Sequence, residues 1–278
     1  MRQTLGQHFL VKGKTLERIA KAACGESVPL AVEIGPGRGA LTERLIAHAG
    51  RVVAIELDAT LAAHVRGRWP NLEIIEANAL DVNWSQWGSG VLAGNLPYYI
   101  ATPLISKYLH NPGLLSHAVF LIQKEVAERI TAKPGGREFG YLSVECQLLA
   151  EVEYLFSVPP GAFQPPPKVD SAVIRLTPRP ALAVSDPAGF LKFVSVCFRQ
   201  KRKTLRNNLA AAYPREAFES RPEMSRRAEQ LTIGEFSELY DYLKEALKTI
   251  QTFSTAESEI RRVSTSYLDS AIRSSKRE

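Results

Sequence analysis

The sequence predicts a doubly wound α/β sheet followed by a small helical domain, and three observations carry that prediction. Short apolar runs near 30–34, 51–56, 72–76, 91–94 and 117–122 alternate with helical patterns at 40–49, 59–68, 102–110 and 124–132. Two further runs, Glu153 to Val158 and Ser171 to Leu176, are joined by the proline-rich loop Pro159 to Lys168, and from 187 to 247 the pattern is helical with no strand. That loop is too short for a helical crossover, so the last two strands read as antiparallel. A helix over Thr15 to Cys24 precedes the first strand. Pro178 and Pro180 mark a linker, dividing the chain into 1–180 and 181–250. The tail 251–278 is rich in Ser, Thr and charge, and reads as disordered or as one amphipathic helix.

Composition narrows the function classes. The 278 residues suffice for one full-sized domain and a smaller one. Cys24, Cys146 and Cys197 show neither C-x-x-C pairing nor metal-ligand spacing, so they read as buried apolar residues of a reducing compartment, and no metal is expected. Neither an apolar signal core nor a run of membrane-spanning length is present, which points to a soluble, cytoplasmic protein with no membrane partner.

The first strand runs into Glu33-Ile34-Gly35-Pro36-Gly37-Arg38-Gly39, and a helical pattern follows. Gly35, Gly37 and Gly39 permit a tight turn and close approach of a ligand to the backbone. The pattern is acid-x-Gly-x-Gly-x-Gly, not the G-x-G-x-x-G of hydride-transfer enzymes, and Glu33 would repel a pyrophosphate while suiting a cation. S-adenosylmethionine, with an ammonium and a sulfonium and no phosphate, meets that requirement. The second strand ends at Glu56, close to the separation of about 20 residues at which a carboxylate accepts the ribose hydroxyls.

The fourth strand closes on Asn95-Leu96-Pro97-Tyr98. The amino nitrogen of adenine is a poor nucleophile, because its lone pair is delocalised into the ring. A site that methylates it must accept both N–H hydrogens and draw the nitrogen towards tetrahedral geometry. The Asn95 side-chain oxygen and the Leu96 carbonyl supply two acceptors; Pro97 stiffens the turn, and Tyr98 offers a face for the base to stack on.

Charge separates the two domains. Residues 1–180 hold 18 Lys and Arg against 16 acids, whereas 187–215 hold seven bases and no acid. If Phe190 to Ala212 is one helix, Arg199, Arg202, Lys203 and Arg206 fall at i, i+3, i+4 and i+7 and form a cationic stripe suited to phosphates.

Taken together these blocks resemble the ribosomal RNA adenine N6,N6-dimethyltransferases of the small-subunit type. The resemblance reaches to about Leu247 and is carried by Gly6-Gln7-His8-Phe9-Leu10, Glu33 to Gly39, Ile55 to Asp58, Asn95 to Ile100, Gln123 to Val126, Val158-Pro159-Pro160 with Phe163, Pro165 to Ser171, and Arg202 to Leu209. It implies a class I S-adenosylmethionine-dependent methyltransferase, Rossmann-like with an antiparallel last strand. The implied reaction is dimethylation of two neighbouring adenosines near the 3′ end of 16S rRNA in the immature small subunit, by a monomer. It also implies that His8 and Leu10, in an N-terminal lid, lie near the methionine end of the cofactor, and that Phe163 stacks on the flipped adenine opposite Tyr98. A buried core phenylalanine is the rival for Phe163. Where the family has an Asp that accepts from the cofactor's adenine amine, this chain has Asn78, with Asp81 a possible substitute. Two other readings remain: the related 23S rRNA enzyme of the macrolide-resistance type, and a non-catalytic ribosome-assembly factor that keeps the fold.

Overall fold

The structure is a computed structural model that describes residues 8–252. Gly6, Gln7 and nearly all of the 251–278 tail lie outside the described residues. The chain divides into two compact units after Leu182.

The first unit contains, in order, β1 (Phe9–Leu10), α1 (Gly13–Cys24), β2 (Val28–Ile34), α2 (Ala40–His48), β3 (Ala49–Glu56), α3 (Ala59–Arg68) and β4 (Glu73–Glu76). It continues through β5 (Gly90–Asn95), α4 (Ala101–His110), β6 (Leu115–Gln123), α5 (Lys124–Thr131), α6 (Tyr141–Leu149), β7 (Ala150–Val158), β8 (Phe163–Gln164) and β9 (Ser171–Pro178). Seven strands form one sheet in the order β4-β3-β2-β5-β6-β9-β7. The pairings from β4 to β6 are parallel, and β9 runs antiparallel to both β6 and β7. The expected doubly wound sheet with an antiparallel end is therefore observed. Residues Leu30 to Ile34 and Gly90 to Gly94 are buried throughout, as strands covered on both faces must be. After β2 the chain lays β3 and β4 to one side, then crosses to place β5 and β6 on the other, so a crevice opens where the ends of β2 and β5 diverge.

The helices follow from apolar spacing and local capping. Leu16, Ile19, Ala20, Ala23 and Cys24 bury one face of α1, which packs on α2. Asp58 caps α3 by accepting from the Thr60 and Leu61 amides. Helix α6 is absent from the elements expected from periodicity, because Leu142 to Cys146, Leu148 and Leu149 are all buried and the helix therefore lacks a polar face. A second unforeseen feature is the small ribbon in which β1 pairs antiparallel with β8, Leu10 lying opposite Phe163.

The second unit contains α7 (Pro187–Cys197), α8 (Leu205–Leu209), several single 3-10 turns and α9 (residues 233–252). Phe190, Phe193, Phe218, Phe236 and Leu239 are fully buried and form its core. The condition that Phe190 to Ala212 form one helix, on which the cationic stripe depends, is not met: α7 ends at Cys197, and residues 198–204 form turns before α8 begins. Asn208, 3% exposed, holds that break. Its Oδ1 accepts from the Gln200 amide at 3.1 Å, and its Nδ2 donates to the carbonyls of Cys197 and Gln200 at 2.7 and 3.2 Å. One side chain thus satisfies the backbone groups exposed by ending α7. The closely spaced bases Arg199, Lys201, Arg202 and Lys203 would repel one another along a helix, which favours the turn.

All three cysteines are buried free thiols, and burial pushes the Cys24 thiol up to about 11. No helix among the described residues is long and apolar enough to cross a membrane.

Candidate active site

The crevice is a pocket walled by Glu33, the 35–38 turn, Glu56, Asn95 to Tyr98 and the segment His8 to Leu10. The glycine turn is held from two sides. The Gly35 amide donates to the Ile55 carbonyl at 2.9 Å, and the Gly37 amide to Glu56 Oε2 at 3.1 Å. Gly37 and Gly39 have φ of +57° and +81°, in the left-handed region. A Cβ on Gly39 would come within 2.4 Å of the Trp69 ring, which leaves no room for a side chain, and one on Gly37 would lie 3.0 Å from the Phe9 ring, which would have to shift. The other oxygen of Glu56 accepts from the Asp58 amide at 3.0 Å. Each carboxylate oxygen has a second lone pair, which keeps Glu56 available to hydroxyls.

Glu33 is 1% exposed, and its Oε2 has no hydrogen-bond partner among the described residues. Burial, opposed by the Thr42 hydroxyl and reinforced by the Glu56 carboxylate, pushes its carboxyl up to about 8. A buried, unpartnered carboxyl beside a second one is a wall that fits a cationic ligand and disfavours a phosphate. S-adenosylmethionine has the matching charge.

At the end of β5, Asn95 Nδ2 donates to the His8 carbonyl at 3.0 Å. A carbonyl oxygen only accepts, so this bond fixes the amide's orientation and leaves Asn95 Oδ1 as an acceptor. His8 is in turn fixed: its Nδ1 bonds the Pro165 carbonyl at 2.9 Å, and the Val11 amide donates to the Ala162 carbonyl at 2.9 Å. Leu96 buries its side chain in the core and its amide donates to the Leu121 carbonyl at 3.0 Å. What Leu96 offers the site is therefore its carbonyl. The Ile100 amide donates to the Pro97 carbonyl at 3.0 Å and closes the turn. The Tyr98 hydroxyl and the fully buried Ser171 Oγ are 2.8 Å apart, which fixes the tilt of the ring. Burial raises the Tyr98 phenol above its ordinary range, with the Ser171 hydrogen bond acting the other way.

Three expectations need correction or refinement. Phe163 is 5% exposed, packs in the core cluster with Leu10, Val158 and Ala162, and is not among the residues that wall the pocket. Pairing with β1 turns it inwards, and the ring that lies near Tyr98 is His8, with centroids 5.8 Å apart. Asn78 accepts from the Leu80 amide at 3.0 Å through Oδ1 in a local turn, and neither it nor Asp81 is in the pocket wall. The stripe Arg199, Arg202, Lys203 and Arg206 is not a helix face, because only Arg206 lies on α8 and the other three belong to the preceding turns. All four are exposed, and Arg206 pairs with Glu219 at 3.2 Å, an acid that lies beyond the acid-free segment 187–215.

Sequence reasoning missed the parts that hold the site together. Ser171 reads in sequence as the first residue of a strand run, and nothing in the local pattern links it to Tyr98, Trp69 to Gly39, or the His8 carbonyl to Asn95. These contacts span tens of residues and depend on the assembled sheet.

A family described as ribosomal RNA adenine dimethylase has a model that matches residues 1–245. The chain belongs to that family. A relative of this dimethylase from Hahella chejuensis, named ribosomal RNA small subunit methyltransferase A, is 42% identical over 254 residues, covering 87% of this chain and 92% of the relative. One of the same name from Chlorobium chlorochromatii is 39% identical over 247 residues, covering 87% and 94%. Among solved structures, a dimethyladenosine transferase from Plasmodium falciparum superposes with a TM-score of 0.75 at 26% identity, covering 86% of this chain and 98% of the other. The 23S rRNA methyltransferase ErmE superposes with a TM-score of 0.69 at 28% identity, covering 85% and 99%.

Proposed function

We propose that this dimethylase methylates N6 of two adjacent adenosines, twice each, in the 3′-terminal hairpin loop of 16S rRNA during assembly of the small subunit, working as a cytoplasmic monomer. The observation that carries the reading is the fixed amide of Asn95, whose Oδ1 remains an acceptor in the wall of an acidic, glycine-lined pocket. S-adenosylmethionine supplies a methyl group made electrophilic by its sulfonium. Glu33, the turn Gly35 to Gly39, Glu56, His8 and Leu10 enclose it, and Asn78 stands nearest the family's adenine-binding position in sequence. Asn95 Oδ1 and the Leu96 carbonyl accept the two hydrogens of the target amine and free its lone pair for in-line attack. Tyr98, held by Ser171, provides the stacking face for the flipped base. No residue is needed as a general base, since the ammonium formed by attack is acidic enough to lose its proton to water. Arg199, Arg202 and Lys203, exposed and without ion pairs among the described residues, contact RNA phosphates, with Arg206 contributing through its free donors.

Identity of 39–42% to small-subunit enzymes over 87% of the chain favours 16S over 23S rRNA as substrate. The intact acceptor set argues against a non-catalytic assembly factor. The deciding experiment is mass mapping of methylated adenosines after incubating the protein and S-adenosylmethionine with undermethylated small subunits, and separately with 23S rRNA. Two adjacent dimethyladenosines in the 16S hairpin loop are expected; methylation confined to 23S rRNA, or none, would overturn the assignment.

A further inference from the structure

Glu33 and Glu56 face the same pocket in different states of satisfaction. Both oxygens of Glu56 accept backbone N–H bonds, from Gly37 and Asp58. Glu33, more deeply buried, has an oxygen with no hydrogen-bond partner among the described residues; the Thr42 hydroxyl that works against the rise of its carboxyl lies beside it but outside good hydrogen-bond geometry. Among the described residues, the surrounding groups offer Glu33 no cation. From α2 comes the neutral Thr42, from the end of β3 the acid Glu56, and from β5 the neutral Asn95. The guanidinium of Arg38 lies over the Phe9 ring, 4.5 Å from its centre, and the His8 imidazole is engaged with the Pro165 carbonyl. An ionised Glu33 in the empty pocket would be a desolvated anion next to another, an arrangement proteins avoid by retaining the proton.

We propose that Glu33 is protonated while the pocket is empty and releases that proton to solvent as the cationic cofactor seats, so that cofactor uptake and ionisation of this carboxyl are one event. This rests on the reading of the pocket as the S-adenosylmethionine site. In this exchange the carboxylic acid becomes a carboxylate, the buffer takes the proton, and no covalent bond forms with the ligand. The elevated carboxyl value of about 8 fits this arrangement and sets the range in which it acts. Below that value, affinity should fall up to about tenfold for each unit of decreasing pH, the limit for one coupled proton, and it should level off above it.

Calorimetry of S-adenosylmethionine binding to the full chain at pH 7, in buffers of different ionisation enthalpy, counts the protons released. Wild type is expected to release close to one more proton than Glu33→Gln; protonation of the ligand's own amine is common to both proteins and cancels. Binding with equal proton release in the two proteins would overturn the proposal while leaving the cofactor site in place. Absence of binding to folded wild-type protein would overturn both. Should the variant bind too weakly for calorimetry, thermal unfolding of the ligand-free proteins from pH 5 to pH 9 gives the second test. A carboxyl whose folded value is raised stabilises the fold fully below its unfolded value, and that contribution is lost as pH rises towards the folded value. Gln cannot ionise, so the melting temperature of Glu33→Gln should rise relative to wild type as pH increases, levelling near about 8. Parallel melting curves would overturn the proposal.

Discussion

Two asparagines, one in each unit, set a group proposed for chemistry against a group held for structure. Asn208 has both ends of its amide engaged inside the second unit, with Cys197 and Gln200. Asn95 donates through Nδ2 to the His8 carbonyl and keeps its oxygen as an acceptor facing a pocket. The residue type is the same, and both sit where a regular element ends. What distinguishes them is the unfilled acceptor, because a polar group serving only the fold has its capacity met within it.

The sharpest way to break this comparison is to truncate both side chains. Asn95→Ala should lower single-turnover methyl transfer by a factor on the order of 10² to 10³, as removal of one preorganised polar group at a reacting centre does. Cofactor affinity by calorimetry and the melting temperature should stay near wild type. Transfer at the wild-type rate would remove Asn95 from the mechanism. Asn208→Ala should do the reverse, costing about 2 to 3 kcal/mol in denaturant unfolding, because it strands buried backbone groups. Its transfer rate per folded molecule should change little at temperatures where the variant remains folded. A variant as stable as wild type would mean that those backbone groups find other partners.

The turn that Asn208 organises supplies the next test. Replacing Arg202 and Lys203 together by Gln should weaken binding to small subunits and flatten the log–log salt dependence by roughly one unit for each phosphate no longer neutralised, with cofactor affinity unchanged. An unchanged slope across a salt series would make these side chains a solvated surface. The smallest effect is expected at Asn78. Asp in its place retains an acceptor for the Leu80 amide and adds charge, so Asn78→Asp should tighten S-adenosylmethionine by at most about 1 kcal/mol, the difference between neutral and charge-assisted hydrogen bonds. Unchanged calorimetric affinity would show that this turn does not meet the adenine.

The sheet is legible in the sequence because its central strands are continuous apolar runs and its connections alternate in period. Glu33, the glycines, Glu56 and Asn95 to Tyr98 are legible as a site because each lies at or just beyond the end of a strand that the topology brings to one edge. The strand at Phe163 is hidden from sequence reasoning for a physical reason: its flanking prolines argue against a regular strand, but two residues suffice for β8, which pairs with β1 and leaves the ring largely buried. The break between α7 and α8 is hidden because no Gly or Pro marks residues 198–204, and the residue that stabilises it, Asn208, comes after it in sequence. In both cases the periodicity is readable and the decisive partner lies elsewhere in the chain.

The bond between His8 and Pro165 closes a span of 157 residues, and it also dates the site. During synthesis the glycine turn and the Asn95 turn leave the ribosome well before β8 does. Until then the carbonyl that orients Asn95 belongs to a segment that lacks its strand partner. A nascent chain arrested between Tyr98 and Phe163 would carry every residue proposed to touch the methyl donor and the base, yet lack the ribbon in which β1 pairs with β8. Competence for methyl transfer is thus conferred late, by the pairing of one of the first segments made with one of the last of its unit.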